Sequence, residues 1–239
     1  MSARRFSPPR AILVALPLSL MLLACGGGGG GGTSVPVAST ASFNLQAVQA
    51  AEFTTAAARP FTLSGTASGY AVTGSGTEVA GSVTAGTFEG LPALQRTTTV
   101  TGSVTVNGVT TPLTTSTVDW SDTHYVPVGA VGGEYVVVQG TPTLPSAAHV
   151  GDAGLVATAN RYADSSKTSL QGTVRTTYGL AADTATTAIL SLTQTYYDTS
   201  SAQVEVVITQ YRIDTSNGFT PLRASDTDYT RNVSLLMTY

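Results

Sequence analysis

The chain has 239 residues, of which 42% are hydrophobic and only 10% charged, with a formal net charge of −3. That mix is too apolar and too rich in threonine and valine for an intrinsically disordered chain, and the excess of acids disfavours a nucleic-acid partner. The single cysteine, Cys25, allows no internal disulfide, so a folded body must rest on a packed core and on sheet hydrogen bonds.

The first 24 residues read as a targeting segment. Arg4, Arg5 and Arg10 precede an apolar run over residues 11–23, which is shorter than the roughly 17–25 residues a membrane-spanning helix needs. The run ends Leu22-Leu23-Ala24-Cys25. This sequence resembles the lipobox of bacterial lipoproteins, in which a small residue precedes a cysteine that is acylated and becomes the first residue of the mature protein. Leu23 is bulkier than the alanine or serine common at that place in the family. The resemblance covers about residues 1–26 and implies a lipid anchor on Cys25. Because Gly26 and not aspartate follows the cysteine, it also implies an outer-membrane address, with the body facing the periplasm. Arg4-Arg5 lacks the intervening residue of a twin-arginine signal before Phe6.

Residues 26–32 are seven consecutive glycines. With the following threonine, serine and proline they read as a tether over residues 25–41, whose root-mean-square reach is about 23 Å. A phosphate-binding loop is excluded there, since no strand precedes the glycines and no lysine or helix start follows them. Setting aside the three leader arginines leaves eight basic residues against 14 acids in the remainder.

The body, residues 42–239, opens with the one helical pattern of the chain. Ser42 or Asn44 stands as N-cap, Leu45, Val48, Ala51 and Glu52 fall at helical spacing, and Arg59-Pro60 closes the segment near Ala58. From Phe61 the period becomes two. Val100, Gly102, Val104 and Val106 alternate with threonines and Ser103, and Asn107-Gly108 supplies the positive φ angles of a tight hairpin. Strands are also predicted at 134–139, 154–162, 169–178, 188–198, 204–213 and 229–239, the parity switch in 204–213 indicating a bulge near Thr209 or a strand buried on both faces. Turns separate them at 163–166, 199–202 and 214–218. Tyr229, Val233, Leu235, Met237 and Tyr239 share one face of the last strand. That pattern resembles the closing strand of an outer-membrane barrel, but no aromatic girdles recur at the other strand ends. The fold class is therefore mainly β, an antiparallel sheet with one short N-terminal helix, and curved half-barrel and sandwich topologies both remain open. Residues 94–129 and 188–223 share an order of long strand, turn and second strand, which would fit two related lobes, 42–140 and 151–239.

Little in the body offers chemistry. His124 and His149 stand without neighbouring cysteines, so neither a metal site nor a cofactor is expected. No serine lies in a nucleophile elbow. The densest polar cluster holds Asp119, Trp120, Asp122 and His124. These four are the candidate ligand-binding residues, although a strand end and turn with side-chain caps explains the same pattern. An enzyme would need Asp119, Asp122 and His124 to converge. Asp214 to Gly218 begins like a calcium loop but lacks the bidentate acid at its twelfth position, and reads as a hairpin turn. Asp226 and Asp228 share a strand face, where they could form an acid pair but read rather as solubilising a strand end. The expected function is a non-enzymatic binding or structural module of the envelope. It would be a carrier or sensor of an apolar ligand, or an assembly factor for another envelope protein.

The expected result of replacing Cys25 with serine is loss of the acyl mass on the mature chain and of its membrane association. Intact-mass measurement and flotation check both; acylation persisting in Cys25→Ser would overturn the lipobox reading.

Overall fold

The structure, a computed structural model, describes residues 38–239; the leader, Cys25 and the glycine run lie outside them. Packing begins at Ser39, inside the stretch read as tether: its side chain is buried and its hydroxyl donates to the Ala185 carbonyl at 2.9 Å. Phe43 then exchanges two backbone hydrogen bonds with Ala148, at 2.8 and 2.9 Å, which fixes the entry to the helix.

Helix α1 spans Leu45–Thr54. Asn44 is its N-cap, the side-chain oxygen accepting from the Ala47 N–H at 3.0 Å. The helix stops before the Ala58 expected from composition. The hydroxyls of Thr54 and Thr55 fold back on the carbonyls of Ala50 and Ala51, and the alanines that follow are taken up by a strand. Leu45, Val48 and Phe53 form its buried side.

Thirteen strands follow: β1 (Ala57–Ala67), β2 (Tyr70–Ala80), β3 (Thr84–Phe88), β4 (Leu91–Val106), β5 (Val109–Ser121), β6 (Pro127–Val131), β7 (Tyr135–Gln139), β8 (Ala153–Tyr162), β9 (Leu170–Ala182), β10 (Thr187–Tyr197), β11 (Gln203–Asp214), β12 (Phe219–Asp228) and β13 (Val233–Thr238). The fold is mainly β, antiparallel, with one short helix among the described residues. Its curvature goes to full closure. β1 pairs with both β2 and β13, and β2 pairs with β4, so every strand except β3 joins a 12-stranded antiparallel barrel. β7 pairs with β8, so residues 42–140 and 151–239 contribute to one continuous sheet. The Asn107-Gly108 turn has the φ angles of +50° and +74° that its sequence requires. The parity switch in β11 reflects burial on both faces: Val206 and Val207 are both buried, and the strand alternates without a break from Glu205 to Ile213, while the register shift opposite Gln210 and Tyr211 skips Leu222 of β12. The last strand starts later than its pattern suggested, because Tyr229 belongs to the preceding turn and is 56% exposed.

Closure turns the two-residue period into inside and outside. Phe61, Leu63, Val72, Leu113, Ala224 and Met237 form one inner cluster, and Phe43, Leu45, Val48, Leu180, Leu190 and Ile213 form another that includes the helix. The opposite faces of β4 and β5 carry Thr99, Thr101, Ser103, Thr105, Thr110, Thr114 and Ser116. This is the reverse of a membrane-spanning barrel, whose outward rows are apolar.

Two departures shape the wall. The β3–β4 ribbon lies over the outer face of β5 to β7, where Phe88 stacks on Trp120 and Tyr135 at centroid distances of 5.5 and 5.4 Å. Glu89 at its tip accepts from the Tyr135 hydroxyl at 2.6 Å and pairs with Lys167. The second departure is the brevity of β6, which pairs with β5 only from Val118 onward. Residues 109–117 of β5 are hydrogen-bonded on their β4 side alone among the described residues. Counting pairs from the two-residue turn, Pro112 falls at a position whose nitrogen faces away from β4, where no donor is needed.

Gly172 marks a place in the barrel wall where no β-carbon fits. Its φ is +133°, and a Cβ there would lie 1.9 Å from the Tyr197 carbonyl oxygen. Gly172→Ala therefore combines backbone strain with a contact that must be relieved by moving β10. It is expected to destabilise the fold by at least about 2 kcal/mol, read from the urea midpoint at unchanged slope. A midpoint equal to that of the parent would show that this corner is soft.

Candidate ligand site inside the barrel

The inner face of β4 carries Arg96 in the same row as Val100, Val104 and Val106, and β5 places Asp119 directly opposite it. Helix α1 adds Glu52. Arg96 Nη1 donates to Glu52 Oε1 at 3.0 Å and to the Glu52 backbone carbonyl at 2.6 Å, while Nη2 stands 3.6 Å from Asp119 Oδ2. The guanidinium also lies over the Phe53 ring, 5.3 Å from its centroid. A second inner pair sits beside it. Arg59 Nη1 donates to Glu78 Oε1 at 2.9 Å, and the Tyr239 hydroxyl donates to Glu78 Oε2 at 2.7 Å.

These groups form the polar wall of a cavity of about 220 Å³. Its other wall is aliphatic: Val136 and Val138 of β7, Val156 and Ala159 of β8, Val174 of β9, and Leu190 and Leu192 of β10. The helix contributes Leu45, Val48 and Phe53. A concave, largely apolar space with a few placed polar groups is the usual form of a small-molecule site, here somewhat below the roughly 300–1,000 Å³ of drug-sized pockets. Burial pushes the Asp119 carboxyl up to about 6 against the opposing pull of Arg96. Burial likewise holds the Tyr211 and Tyr239 phenols above their ordinary range. Three polar atoms on this wall, Arg96 Nε, Thr98 Oγ1 and Asp119 Oδ1, are buried with no hydrogen-bond partner among the described residues.

Of the four candidate residues from sequence, the structure brings Asp119 to the inner wall, leaves Trp120 bordering the cavity with its ring turned away, and separates Asp122 and His124 from it. Trp120 lies on the opposite face of β5, under Phe88. Asp122 caps the turn that follows, accepting from the N–H groups of His124 and Val126 at 2.8 and 2.9 Å. The His124 side chain is 84% exposed, its Nδ1 3.8 Å from Asp122 Oδ2. Asp214 similarly caps a hairpin turn, through the N–H groups of Ser216 and Gly218. Glu52, Arg59, Glu78, Arg96 and Tyr239 were not singled out from sequence. The available signal was a charge on the apolar parity of a strand, as for Arg96 among the valines of β4.

Asp226 and Asp228 require a correction. They do not solubilise an exposed strand end; both face inward and are buried, opposite Val207 and Glu205 of β11. Asp228 is explained by its turn, since Oδ1 accepts from the N–H groups of Thr230 and Arg231 and from the Thr230 hydroxyl. Nearby, Arg161 is 1% exposed and is held by a two-pronged pair with Glu134, at 2.7 and 3.0 Å, and by the Tyr197 carbonyl at 3.2 Å. Asp226 keeps an unpartnered oxygen among the described residues. Its burial, with Glu205 and Asp228 alongside and only Arg231 opposing, pushes its carboxyl up to about 7. The folded state thus holds a proton that the unfolded chain releases near pH 4. Stability contributed at acid pH is lost as pH rises toward 7 and is flat above. The loss from this group amounts to at most about 4 kcal/mol. Asp226→Asn is expected to flatten the profile, with a higher urea midpoint than the parent at pH 8 and little change at pH 5. Identical pH profiles would show that Asp226 ionises freely.

No protein-family model matches the chain, and no curated protein matches it. Among solved structures it is similar to a DUF1329 family protein from Desulfovibrio piger ATCC 29098, with a TM-score of 0.32 and 10% identity over 81% of this chain and 88% of that one. A likeness this distant carries no inference about function.

Proposed function

We propose that the protein is an outer-membrane lipoprotein of the cell envelope whose barrel binds a small, mostly apolar molecule without transforming it. The observation that carries this reading is the cavity inside the barrel, aliphatic on one side and lined on the other by charges that already pair with one another. Those pairs leave no inner residue arranged as nucleophile and base, whereas the aliphatic wall suits retention of a chain or ring. The anchor on Cys25 and the glycine tether support a body held near the membrane but free to turn on its leash. The unpaired edge of β5 beyond Pro112, residues 113–117, favours a second reading, an assembly factor that accepts a short strand segment from another envelope protein.

The test is solvent extraction and mass spectrometry of the full chain purified from membranes, beside its Ala159→Leu variant. Ala159 is 4% exposed and faces the cavity, so leucine there occupies ligand space. The expected outcome is one small molecule per chain, beyond the anchor's own acyl groups, in the parent and its loss in the variant at similar thermal stability. Equal lipid content in both, at non-integral ratios, would overturn the carrier reading and direct attention to the β5 edge.

A further inference from the structure

The polar wall of the cavity constrains what its ligand must carry. Arg96 Nε is a donor, Asp119 Oδ1 an acceptor and Thr98 Oγ1 can be either; all three are buried, unpartnered among the described residues, and belong to side chains that line the cavity. Arg96 and Asp119 are register partners across β4 and β5, and Thr98 is the next inward residue along β4. The three therefore form one patch. Leaving a buried polar atom unmade is unfavourable, and the patch sits beside an otherwise aliphatic space.

The surrounding charges decide which polar group fits. Arg96 is already offset by Glu52 at 3.0 Å and Asp119 at 3.6 Å, and the Arg59–Glu78 pair lies on the same wall. A carboxylate or phosphate placed at Arg96 Nε would also lie against Asp119 and Glu52. An ammonium placed at Asp119 Oδ1 would lie against the Arg96 guanidinium. Either charge would enter a low-dielectric space with a like charge as neighbour. A group that donates to Asp119, accepts from Arg96 and carries no charge meets neither penalty.

Building on the carrier reading, we propose that Arg96, Thr98 and Asp119 form a subsite for an uncharged hydroxyl or primary amide. The ligand is then a neutral amphiphile, its apolar part against the valine and leucine wall, and not a fatty acid or an amine.

The experiment compares four probes sharing an eight-carbon chain: octan-1-ol, octanamide, octanoate and octylammonium. Each is titrated by calorimetry into the full chain in lipid nanodiscs, with empty nanodiscs as blank, and the arginine Nε–Hε signals are followed by nitrogen-15 NMR. The alcohol and the amide are expected to bind at least tenfold more tightly than either ion and to move the Arg96 Nε signal, identified by its loss in Arg96→Lys. Thr98→Val, which removes only the hydroxyl, should weaken the two neutral probes about fivefold. Octanoate or octylammonium binding as well as the neutral probes, or neutral probes binding with the Arg96 signal unmoved, overturns the subsite and leaves the carrier reading standing. Failure of all four probes to bind, with no difference on Ala159→Leu, overturns the carrier reading itself.

Discussion

Closure of the sheet is the constraint on which the rest of this molecule depends. A chain with one cysteine and few charges has only its backbone ladder and its core to hold it. β1 meets β13 on one side and β2 on the other, and β2 passes the ladder on to β4. These pairings fix which way every side chain of a strand points, since a slip by one residue would turn the row of Phe61 and Leu63 outward and the threonines inward. Closure also explains why tight corners fall on glycine: in a ring of this kind some strands must coil sharply, and at Gly172 no β-carbon fits.

A barrel of twelve strands is wide enough that its own side chains do not fill it evenly. The apolar clusters occupy part of the interior, and the helix α1 closes another part through Leu45 and Val48. What is left is lined on one side by ion pairs. Buried pairs of this kind are weak evidence for stability, because desolvation offsets most of the attraction. Their clearer effect is positional. Glu52 ties the helix to Arg96, and Tyr239, the last residue, is tied through its hydroxyl to Glu78. Both ends of the body thus meet on the cavity wall, and the same wall is anchored to β4 and β5 by hydrogen-bonded register.

Much of this was legible in the residues. Alternation in β4 and β9, the Asn107-Gly108 turn, the Asn44 cap and the two-faced apolar pattern of β11 all report local geometry, and each has its counterpart in the structure. Closure was not legible, because half-barrel, sandwich and barrel strands alternate alike and differ only in which edges meet. The site was missed for a related reason. Proximity in sequence favoured the cluster from Asp119 to His124, yet successive residues of a strand point to opposite faces, so Asp119 and Trp120 had to part. The grouping that matters joins Glu52, Arg96 and Asp119, which are far apart in sequence and adjacent only once β4 and β5 pair and the helix docks on them. Reading charge against strand parity would have flagged Arg96 and Glu78, each an ionisable residue in an otherwise uncharged inner row.

Pro112 bears on how many copies of the protein can live side by side. An open strand edge is a template for pairing with a neighbour. On the free side of β5 the ring of Pro112 removes a donor midway along the edge, with Thr110 and Thr114 on either side presenting short polar side chains. A strand from another copy could not run its ladder unbroken past that point. One imino acid therefore lets the wall stay open there while limiting continuous edge-to-edge pairing between copies.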